Sequence, residues 1–380
     1  MRIGIVINSS WNIYNFRLGL IDAFQKEGHQ VVAIAPDDGF VEDLKARKCE
    51  FYNLEMERKG ANPLQDLFLI RQMYQCYKKA NLDIALHFTI KPNIYGTLAA
   101  RWLGIPSICN VTGLGTVFIH QNLTSKIAHL LYKFAFRFPK TIFFQNQDDW
   151  DLFVEKQLIR NSSKNGLSEY HKFPIIDLLP GSGIDTEKFK PQPVKENKGT
   201  KKFTFLLIAR LLYDKGILEY VEAIKTLKEK GVNADFQLLG KIETDKGLGI
   251  TQDQLQVWIN EDLLTYLGTT NDVRPFIYEA DCVVLPSYRE GTPRTLLEAM
   301  SIGKPLIATN VAGCKETIVE GVNGFLCEAR SGEDLANKIQ KMLMLSNTQR
   351  QEMGKQSRLL ATQKFDQNKV IQKYLEAIKK

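Results

Sequence analysis

Glu290 and Glu298 stand eight positions apart, one in a loop and one in the helix that follows it. The loop comes after an apolar, β-branched run typical of a buried strand. The helix is predicted to span Pro293 to Ile302, because Thr292 can cap its start and Gly303 ends it. A carboxylate can accept two hydrogen bonds from vicinal hydroxyls, so the pair could hold a ribose and a second sugar. Solvated glutamates share this spacing, and the spacing alone leaves both interpretations open.

The start of this predicted helix is suited to an anion. Its first backbone N–H groups lack partners inside the helix and lie at the positive end of the helix dipole, which favours a diphosphate. The residues that would form this part of a donor site are Gly291, Thr292, Pro293, Arg294 and Thr295.

Two cations follow the apolar run Phe203 to Ile208, which is predicted to be a strand. Arg210 and Lys215 fall in the loop between that strand and a helix, and this places them at the carboxyl edge of a parallel sheet. Such cations are usually solvated, but they can also bind a diphosphate.

Glu290 and Glu298 in the pattern E-x7-E, followed by Gly303-Lys304-Pro305, Gly313 and Glu316, resemble the GT4 family of retaining glycosyltransferases, which have the GT-B fold. The resemblance implies that Glu290 contacts the donor sugar and Glu298 the nucleotide ribose. It also implies that Arg210 and Lys215 bind the diphosphate and stabilise its departure. The nucleobase would lie beside later strand ends, near Gly240, Lys241 and Val273.

The order of predicted elements alternates strand and helix, which indicates an α/β protein with parallel sheets. With the resemblance, we expect the GT-B fold: two Rossmann-like doubly wound domains that face a cleft. The polar, proline-containing segment from 190 to 202 is typical of a linker. We predict an acceptor domain over 1–185, a donor domain over 186–365, and a last helix at 366–380 that packs back on the first domain.

The acceptor side is predicted from loops of the first domain. The loop from 8 to 16 follows the first strand, and its Ser9, Ser10 and Asn12 could donate hydrogen bonds, with Arg17 available for an anion. Many GT4 members carry glycines here, and this chain does not. Ser and Asn are also ordinary turn formers, so the loop can be interpreted either as part of an acceptor site or as an ordinary turn.

Two further strand ends add candidates. His87 and Lys91 follow one strand, where GT4 members often have a histidine in the active site; the alternative is a core histidine with satisfied hydrogen bonds. Thr112, Gly113 and Gly115 follow the next strand. They resemble a turn of the subgroup that builds bacterial lipid-linked and surface oligosaccharides, including the N-acetylgalactosaminyltransferases of protein N-glycosylation.

Residues 123–138 mix basic and large apolar side chains. This composition fits a helix at a membrane interface, or a packed helix with its basic residues in water. No run of 18 apolar residues is present, and the N-terminus has no signal-peptide pattern, so we expect a cytoplasmic protein at the inner face of the membrane.

Asp149 and Asp151 match a D-x-D metal motif, but they follow a strand and begin a helix, where aspartates favour the dipole. The six cysteines have no C-x-x-C spacing and the five histidines are dispersed. We therefore expect neither a metal nor another cofactor, and no nucleic-acid partner.

The function implied is retaining transfer of a hexose or N-acetylhexosamine from a UDP-sugar to a saccharide on a polyprenyl diphosphate. Two alternatives stay open at this point. One is a non-hydrolysing UDP-sugar epimerase with the same fold, and the other is a nucleotide-sugar-binding module without turnover.

Overall fold

The computed structural model describes residues 1–56, 63–114, 123–159, 174–192, 202–243 and 248–379. The chain divides into two compact units. The first unit is Met1–Ser182 with Gln367–Lys380, and the second is Gly183–Asp366. The domain boundaries predicted after 185 and after 365 lie beside these divisions.

The described part of the first unit is a parallel α/β sheet with its helices. Its strands are β1 (Arg2–Val6), β2 (Gln30–Ala35), β3 (Glu50–Asn53), β4 (Ile84–Phe88), β5 (Ser107–Val111), β6 (Thr141–Phe144) and β7 (Ile175–Leu178). Its helices are α1 (Ser10–Lys26), α2 (Val41–Ala46), α3 (Pro63–Ala80), α4 (Thr97–Leu103), α5 (Leu123–Ala135) and α6 (Gln147–Glu155), with a π-helical turn at Pro92–Gly96. The strand order is β3-β2-β1-β4-β5-β6-β7, and every pairing is parallel.

Both faces of this sheet are covered and buried. Neighbouring residues of a strand point to opposite sides, so each strand contributes side chains to two cores. Ile3 and Ile5 pack in one core with residues of α1, while Val6 packs in the other core with Met73 and Tyr77 of α3. The strands are apolar and β-branched because both of their faces are buried.

The C-terminal helix of the chain belongs to the first unit. It spans Gln367–Lys379, and its Val370, Tyr374 and Ile378 share the core that contains Ile3 and Ile5. The Asn110 side-chain amide donates a hydrogen bond of 2.6 Å to the Tyr374 hydroxyl.

The described part of the second unit repeats the architecture. Its strands are β8 (Phe203–Ile208), β9 (Ala234–Leu239), β10 (Thr265–Tyr266), β11 (Cys282–Leu285), β12 (Leu306–Thr309) and β13 (Gly324–Cys327). Its helices are α7 (Ile217–Glu229), α8 (Gln252–Asn260), α9 (Arg274–Glu279), α10 (Arg294–Ile302), α11 (Gly332–Met344) and α12 (Asn347–Lys364), so that the C-terminal helix of the chain is α13. Short 3-10 helices occupy Tyr213–Lys215 and Lys315–Thr317. The strand order is β10-β9-β8-β11-β12-β13, again all parallel.

The start of α1 differs from the sequence prediction. We predicted a loop from 8 to 16, but α1 begins at Ser10. The Ser9 side chain caps the helix by accepting a hydrogen bond from the Asn12 backbone N–H at 3.2 Å. Asp149, by contrast, lies in the first turn of α6 as predicted, with Asn146 as the cap.

Among the helices that the structure describes, none combines the length and apolar character needed to span a bilayer.

Candidate functional site

Two loops of the second unit meet because Gly216 allows them to. Gly216 follows the 3-10 helix after β8, has φ of 71°, and a Cβ built on it would lie 1.9 Å from the Pro286 carbonyl oxygen. Only glycine fits so close an approach in this backbone conformation. The contact brings the residues before Gly216 against the loop after β11, which carries Glu290.

Lys215 and Glu290 form the centre of this site. The Lys215 Nζ lies 2.5 Å from Glu290 Oε1, and each side chain is 16% exposed. Ser287 Oγ lies 2.8 Å from the same carboxylate oxygen and 3.1 Å from the Asp214 carbonyl oxygen. Burial would lower the pKa of Lys215, but the Glu290 carboxylate outweighs it and the pKa is raised. The site therefore keeps a charged ammonium beside a carboxylate, at the carboxyl edge of the sheet.

The loop after β12 supports Glu290 from behind. The Glu290 N–H donates a hydrogen bond of 3.1 Å to the Ala312 carbonyl oxygen. Gly313 has φ of 84°, and a Cβ there would lie 2.5 Å from the Glu290 carbonyl oxygen. The glycine of the E-x7-E context is thus needed for the backbone that fixes Glu290.

Arg294 and Glu298 form a second pair on α10. Arg294 Nε lies 3.1 Å from Glu298 Oε1, one helical turn away, and Arg294 Nη1 donates to the Gly183 carbonyl oxygen at 2.9 Å. Burial raises the pKa of Glu298, and the Arg294 guanidinium acts in the opposite direction. The Arg294 side chain therefore holds Glu298, and the anion site predicted at this helix start rests on backbone N–H groups.

The cap of α10 is also shifted by one residue from the prediction. Pro293 is the residue before the first helical residue, Arg294, and no side-chain cap hydrogen bond is made there. Thr292 thus precedes the cap instead of forming it, and Gly291 precedes Thr292. Thr295 occupies the second position of the helix, in its first turn.

Arg210 is the second cation at this edge, and it is more exposed than Lys215. Its Nη1 lies 3.6 Å from Glu243 Oε1, and its side chain is 57% exposed. A long, exposed pair of this kind costs little to break, so Arg210 can exchange Glu243 for an anionic ligand.

The residues predicted beside a nucleobase lie at neighbouring strand ends. Gly240 follows β9, and its carbonyl oxygen accepts a hydrogen bond of 2.8 Å from the Tyr266 hydroxyl. The Lys241 carbonyl oxygen accepts one from the Leu211 N–H at 2.9 Å, and Val273 precedes the first turn of α9. These positions lie at the carboxyl edge of the sheet that carries Lys215.

In the first unit, Ser9 and Ser10 at the carboxyl edge are hydrogen-bonded to another side chain of the protein. Both hydroxyls donate to the carboxylate of Asp38, Ser9 at 2.7 Å. Asn12 lies inside α1, and the Arg17 guanidinium is buried 4.4 Å above the Phe88 ring. Sequence reasoning missed Asp38, which lies 28 or more positions from these serines and carries no local signal.

His87 is fully buried in β4. Its Nε2 lies 3.1 Å from the Tyr77 hydroxyl and its Nδ1 lies 3.2 Å from Thr97 Oγ1. Burial lowers the pKa of His87 to about 3. This is the arrangement of a core histidine with satisfied hydrogen bonds, the alternative left open by the sequence, and it gives a ligand no access to the ring.

The remaining acceptor-side candidates follow the neighbouring parallel strands β4 and β5. Lys91 pairs with Asp66 at 3.1 Å. Thr112 and Gly113 follow β5, and Gly113 has φ of 105°. Gly115 lies outside the described residues.

Within the described residues, no three side chains of the His, Cys, Asp or Glu type are grouped so that they could hold a metal ion. The Lys215 ammonium and the exposed Arg210 are cationic side chains at the carboxyl edge of the second sheet.

Two family models match the chain. Glycosyl transferases group 1 matches residues 188–360, and Glycosyl transferase 4-like matches residues 2–146. The chain is 30% identical over 390 residues, 99% of this chain and 98% of the relative, to the N,N'-diacetylbacillosaminyl-diphospho-undecaprenol alpha-1,3-N-acetylgalactosaminyltransferase of Campylobacter jejuni. The chain belongs to the GT4 family of glycosyltransferases.

The chain is also similar to a second relative and to a solved structure. The UDP-Gal:alpha-D-GlcNAc-diphosphoundecaprenol alpha-1,3-galactosyltransferase of Escherichia coli is 28% identical over 293 residues, 73% of this chain and 70% of that protein. The Anabaena protein HepE, solved in complex with UDP, aligns with a TM-score of 0.76 at 20% identity and covers 100% of both chains. The GT-B fold predicted from the sequence is confirmed by these neighbours and by the two parallel sheets.

The match also confirms that this GT4 member is a transferase. The spacing of Glu290 and Glu298 alone left their role open. Both glutamates lie in the part of the chain that the Glycosyl transferases group 1 model covers.

Proposed function

We propose that this GT4 protein transfers a hexose or N-acetylhexosamine from a UDP-sugar to a saccharide carried on a polyprenyl diphosphate, with retention of anomeric configuration. The observation that carries the proposal is the buried Lys215–Glu290 pair at the carboxyl edge of the second sheet. The names of the relatives support the substrates: both act on diphospho-undecaprenol saccharides, one transferring N-acetylgalactosamine and the other galactose from UDP-galactose.

Lys215 is proposed to serve the leaving diphosphate. An ammonium has three N–H donors, and the bond to Glu290 uses one of them. The others can reach a phosphate oxygen, with Arg210 as a second cation and the start of α10 as a third source of positive potential. These groups stabilise the negative charge that grows on the diphosphate as the sugar takes on oxocarbenium character.

Glu290 is proposed to orient the donor sugar and Glu298 the ribose. Pairing with Arg294 uses one oxygen of the Glu298 carboxylate, and a carboxylate offers several acceptor positions. For the transfer step we propose internal return. The C1–O bond to the diphosphate breaks, the acceptor hydroxyl attacks from the same face, and its proton goes to the departing phosphate oxygen.

We also propose that no metal or other cofactor takes part. The cations Lys215 and Arg210 would neutralise the diphosphate, which is the task a divalent ion performs in other transferases. Transfer in the presence of excess EDTA should match transfer without it, and a requirement for Mg²⁺ or Mn²⁺ would refute this part of the proposal.

The test is a transfer assay with UDP-sugars and a short-chain polyprenyl-diphosphate N-acetylhexosamine, with the product anomer assigned by NMR. Glu290→Ala should lower kcat/KM by about 1000-fold in a protein that still folds but melts at a lower temperature, because the Lys215 ammonium is left mostly buried without its partner. Glu261→Ala, an exposed glutamate of the same unit, is the matched control and should be unchanged. Complete epimerisation of the donor without acceptor, or an inverted product anomer, would contradict the proposed reaction.

Peripheral contact with the inner face of the cytoplasmic membrane completes the proposal. The outward face of α5 exposes Ile127, Leu130 and Phe134, and Leu130 is 69% exposed. The exposed basic residues Lys126 and Lys133 lie beside them on the same helix. Exposed apolar side chains flanked by lysines fit a surface of anionic lipids, where a lipid-linked acceptor resides.

Sedimentation with vesicles tests this contact. The triple variant Ile127→Ser, Leu130→Ser and Phe134→Ser should lose most of its binding to vesicles rich in anionic lipid, whereas Val257→Ser, exposed on the second unit, should bind as wild type does. Equal binding of all three proteins would remove α5 from the proposed membrane contact without touching the transfer reaction.

A further inference from the structure

Trp11 is a large exposed aromatic side chain at the carboxyl edge of the first sheet. It lies in the first turn of α1, directly after β1, and it is 43% exposed. In an open parallel sheet, ligands bind outside the carboxyl ends of the strands, where this turn lies.

The backbone of Trp11 is held in place from two sides. Its N–H donates to Asp38 Oδ1 at 2.7 Å, and its carbonyl oxygen accepts a hydrogen bond of 2.9 Å from the Asn15 side-chain amide. The serines before it donate to the same Asp38 carboxylate. The start of α1 is therefore fixed by a residue that comes from the loop after β2.

The ring of Trp11 is also oriented. The Phe16 ring meets it edge-to-face, with 5.2 Å between centroids and an angle of 90° between planes. An aromatic surface that is ordered before a ligand arrives avoids much of the entropic cost of binding.

The Asp38 carboxylate decides which ligand fits this place. A helix start normally attracts anions, but here the carboxylate already accepts the N–H of Trp11 and the Ser9 and Ser10 hydroxyls. A phosphate beside Asp38 would meet a like charge. The matching ligand is neutral, with one apolar face for the indole and polar groups around its rim, which describes the C–H face and the hydroxyls of a pyranose.

We propose that Trp11 is the stacking platform for the acceptor saccharide and that Asp38 positions Trp11. The proposal rests on the proposed function, which makes a saccharide the acceptor. It adds a binding residue and a preference: at this edge the sugar of the acceptor, and not its diphosphate, contacts the protein.

Kinetics with the short-chain polyprenyl-diphosphate N-acetylhexosamine test the platform. Trp11→Ala should raise the KM for the acceptor about tenfold, a change of about 1.4 kcal/mol, with the KM for the UDP-sugar unchanged. Trp11→Phe should recover most of this loss because it keeps an aromatic face. Asp38→Ala should raise the acceptor KM in the same direction, since the indole loses its backbone anchor.

Trp102 supplies a matched control. It is 63% exposed in the first unit, but it lies near the end of α4, which leads into the start of β5 and so lies at the opposite edge of the sheet. Trp102→Ala should leave both KM values unchanged. An unchanged acceptor KM in Trp11→Ala, or an equal rise in Trp102→Ala, would overturn the proposal.

A binding measurement separates this proposal from the proposed function. Tryptophan fluorescence is titrated with the same short-chain acceptor in the absence of UDP-sugar, using wild type and Trp11→Phe. A saturable change in wild type that is absent in Trp11→Phe supports the platform even if no transfer is found. Transfer by wild type with identical titrations of the two proteins would overturn the platform and leave the function standing.

Discussion

The carboxyl edges of the two sheets hold similar polar residues and use them differently. In the second unit, Lys215 and Glu290 come from loops 75 positions apart and meet in one half-enclosed cluster. In the first unit, Asp38 ties up Ser9 and Ser10, and Tyr77 and Thr97 flank both ring nitrogens of His87. A polar residue after a strand is therefore a candidate for chemistry only where the fold leaves it hydrogen-bonding capacity for a ligand.

The largest expected effect comes from breaking the cluster of the second unit. Lys215→Met should lower transfer by about 1000-fold. It should also lower the free energy of unfolding by about 3 kcal/mol, because Glu290 is left mostly buried without its partner. Enzyme assays and chemical denaturation measure the two effects.

A double variant sharpens that result. Lys215→Met with Glu290→Gln should regain most of the stability and none of the activity, since no uncompensated charge is left. Arg210→Met, which removes an exposed cation, should change the unfolding free energy by no more than about 1 kcal/mol. Wild-type stability in the single Lys215 variant would show that the pair contributes nothing to the fold.

A smaller effect is expected from Arg294→Gln. The Arg294 guanidinium opposes the rise that burial causes in the pKa of Glu298, so its removal should raise that pKa further. The KM for the donor should rise about tenfold at pH 7, and the rise should grow as the pH falls and Glu298 takes up a proton. A donor KM that is the same as wild type at every pH would remove the ribose role from Glu298.

The smallest effect on activity is expected in the first unit, from His87→Gln, which should keep kcat near wild type. Its stability is more informative. The pKa of His87 is lowered to about 3 by burial, so below about pH 6.5 the unfolded chain binds a proton that the folded protein does not.

The unfolding free energy of wild type should therefore fall by about 1.4 kcal/mol per pH unit from about pH 6 towards pH 3 through this group. In His87→Gln this contribution should be missing, as denaturation curves at several pH values would show. A 100-fold lower kcat in a stably folded His87 variant would return this residue to the active site.

The sequence was sufficient to predict which residues meet where strand ends and their order decide the contact. Glu290, Lys215 and Arg210 each follow a strand, and parallel strands bring their carboxyl ends to one edge, so their proximity could be predicted. Contacts with residues from distant loops could not be predicted. Asp38 accepts hydrogen bonds at the start of α1, where a loop was predicted. The burial of His87 depends on α3 and on the residues before α4, and no local sequence pattern encodes those contacts.

The predicted cap of α10 lies one residue before the observed one. Thr292 and Pro293 are both acceptable near a helix start, so local preference separates the two positions poorly.

The place of α13 in the first unit has a consequence for how the chain is made. During synthesis, residues 1–182 leave the ribosome before the second unit does, but the core around Ile3 and Ile5 waits for Tyr374 and Ile378, which are translated after the second unit. The second unit can finish folding before the first does. A chain ending at Asp366 should show protease resistance in the second unit and susceptibility in the first, and equal resistance of both would show that α13 is dispensable to nascent folding.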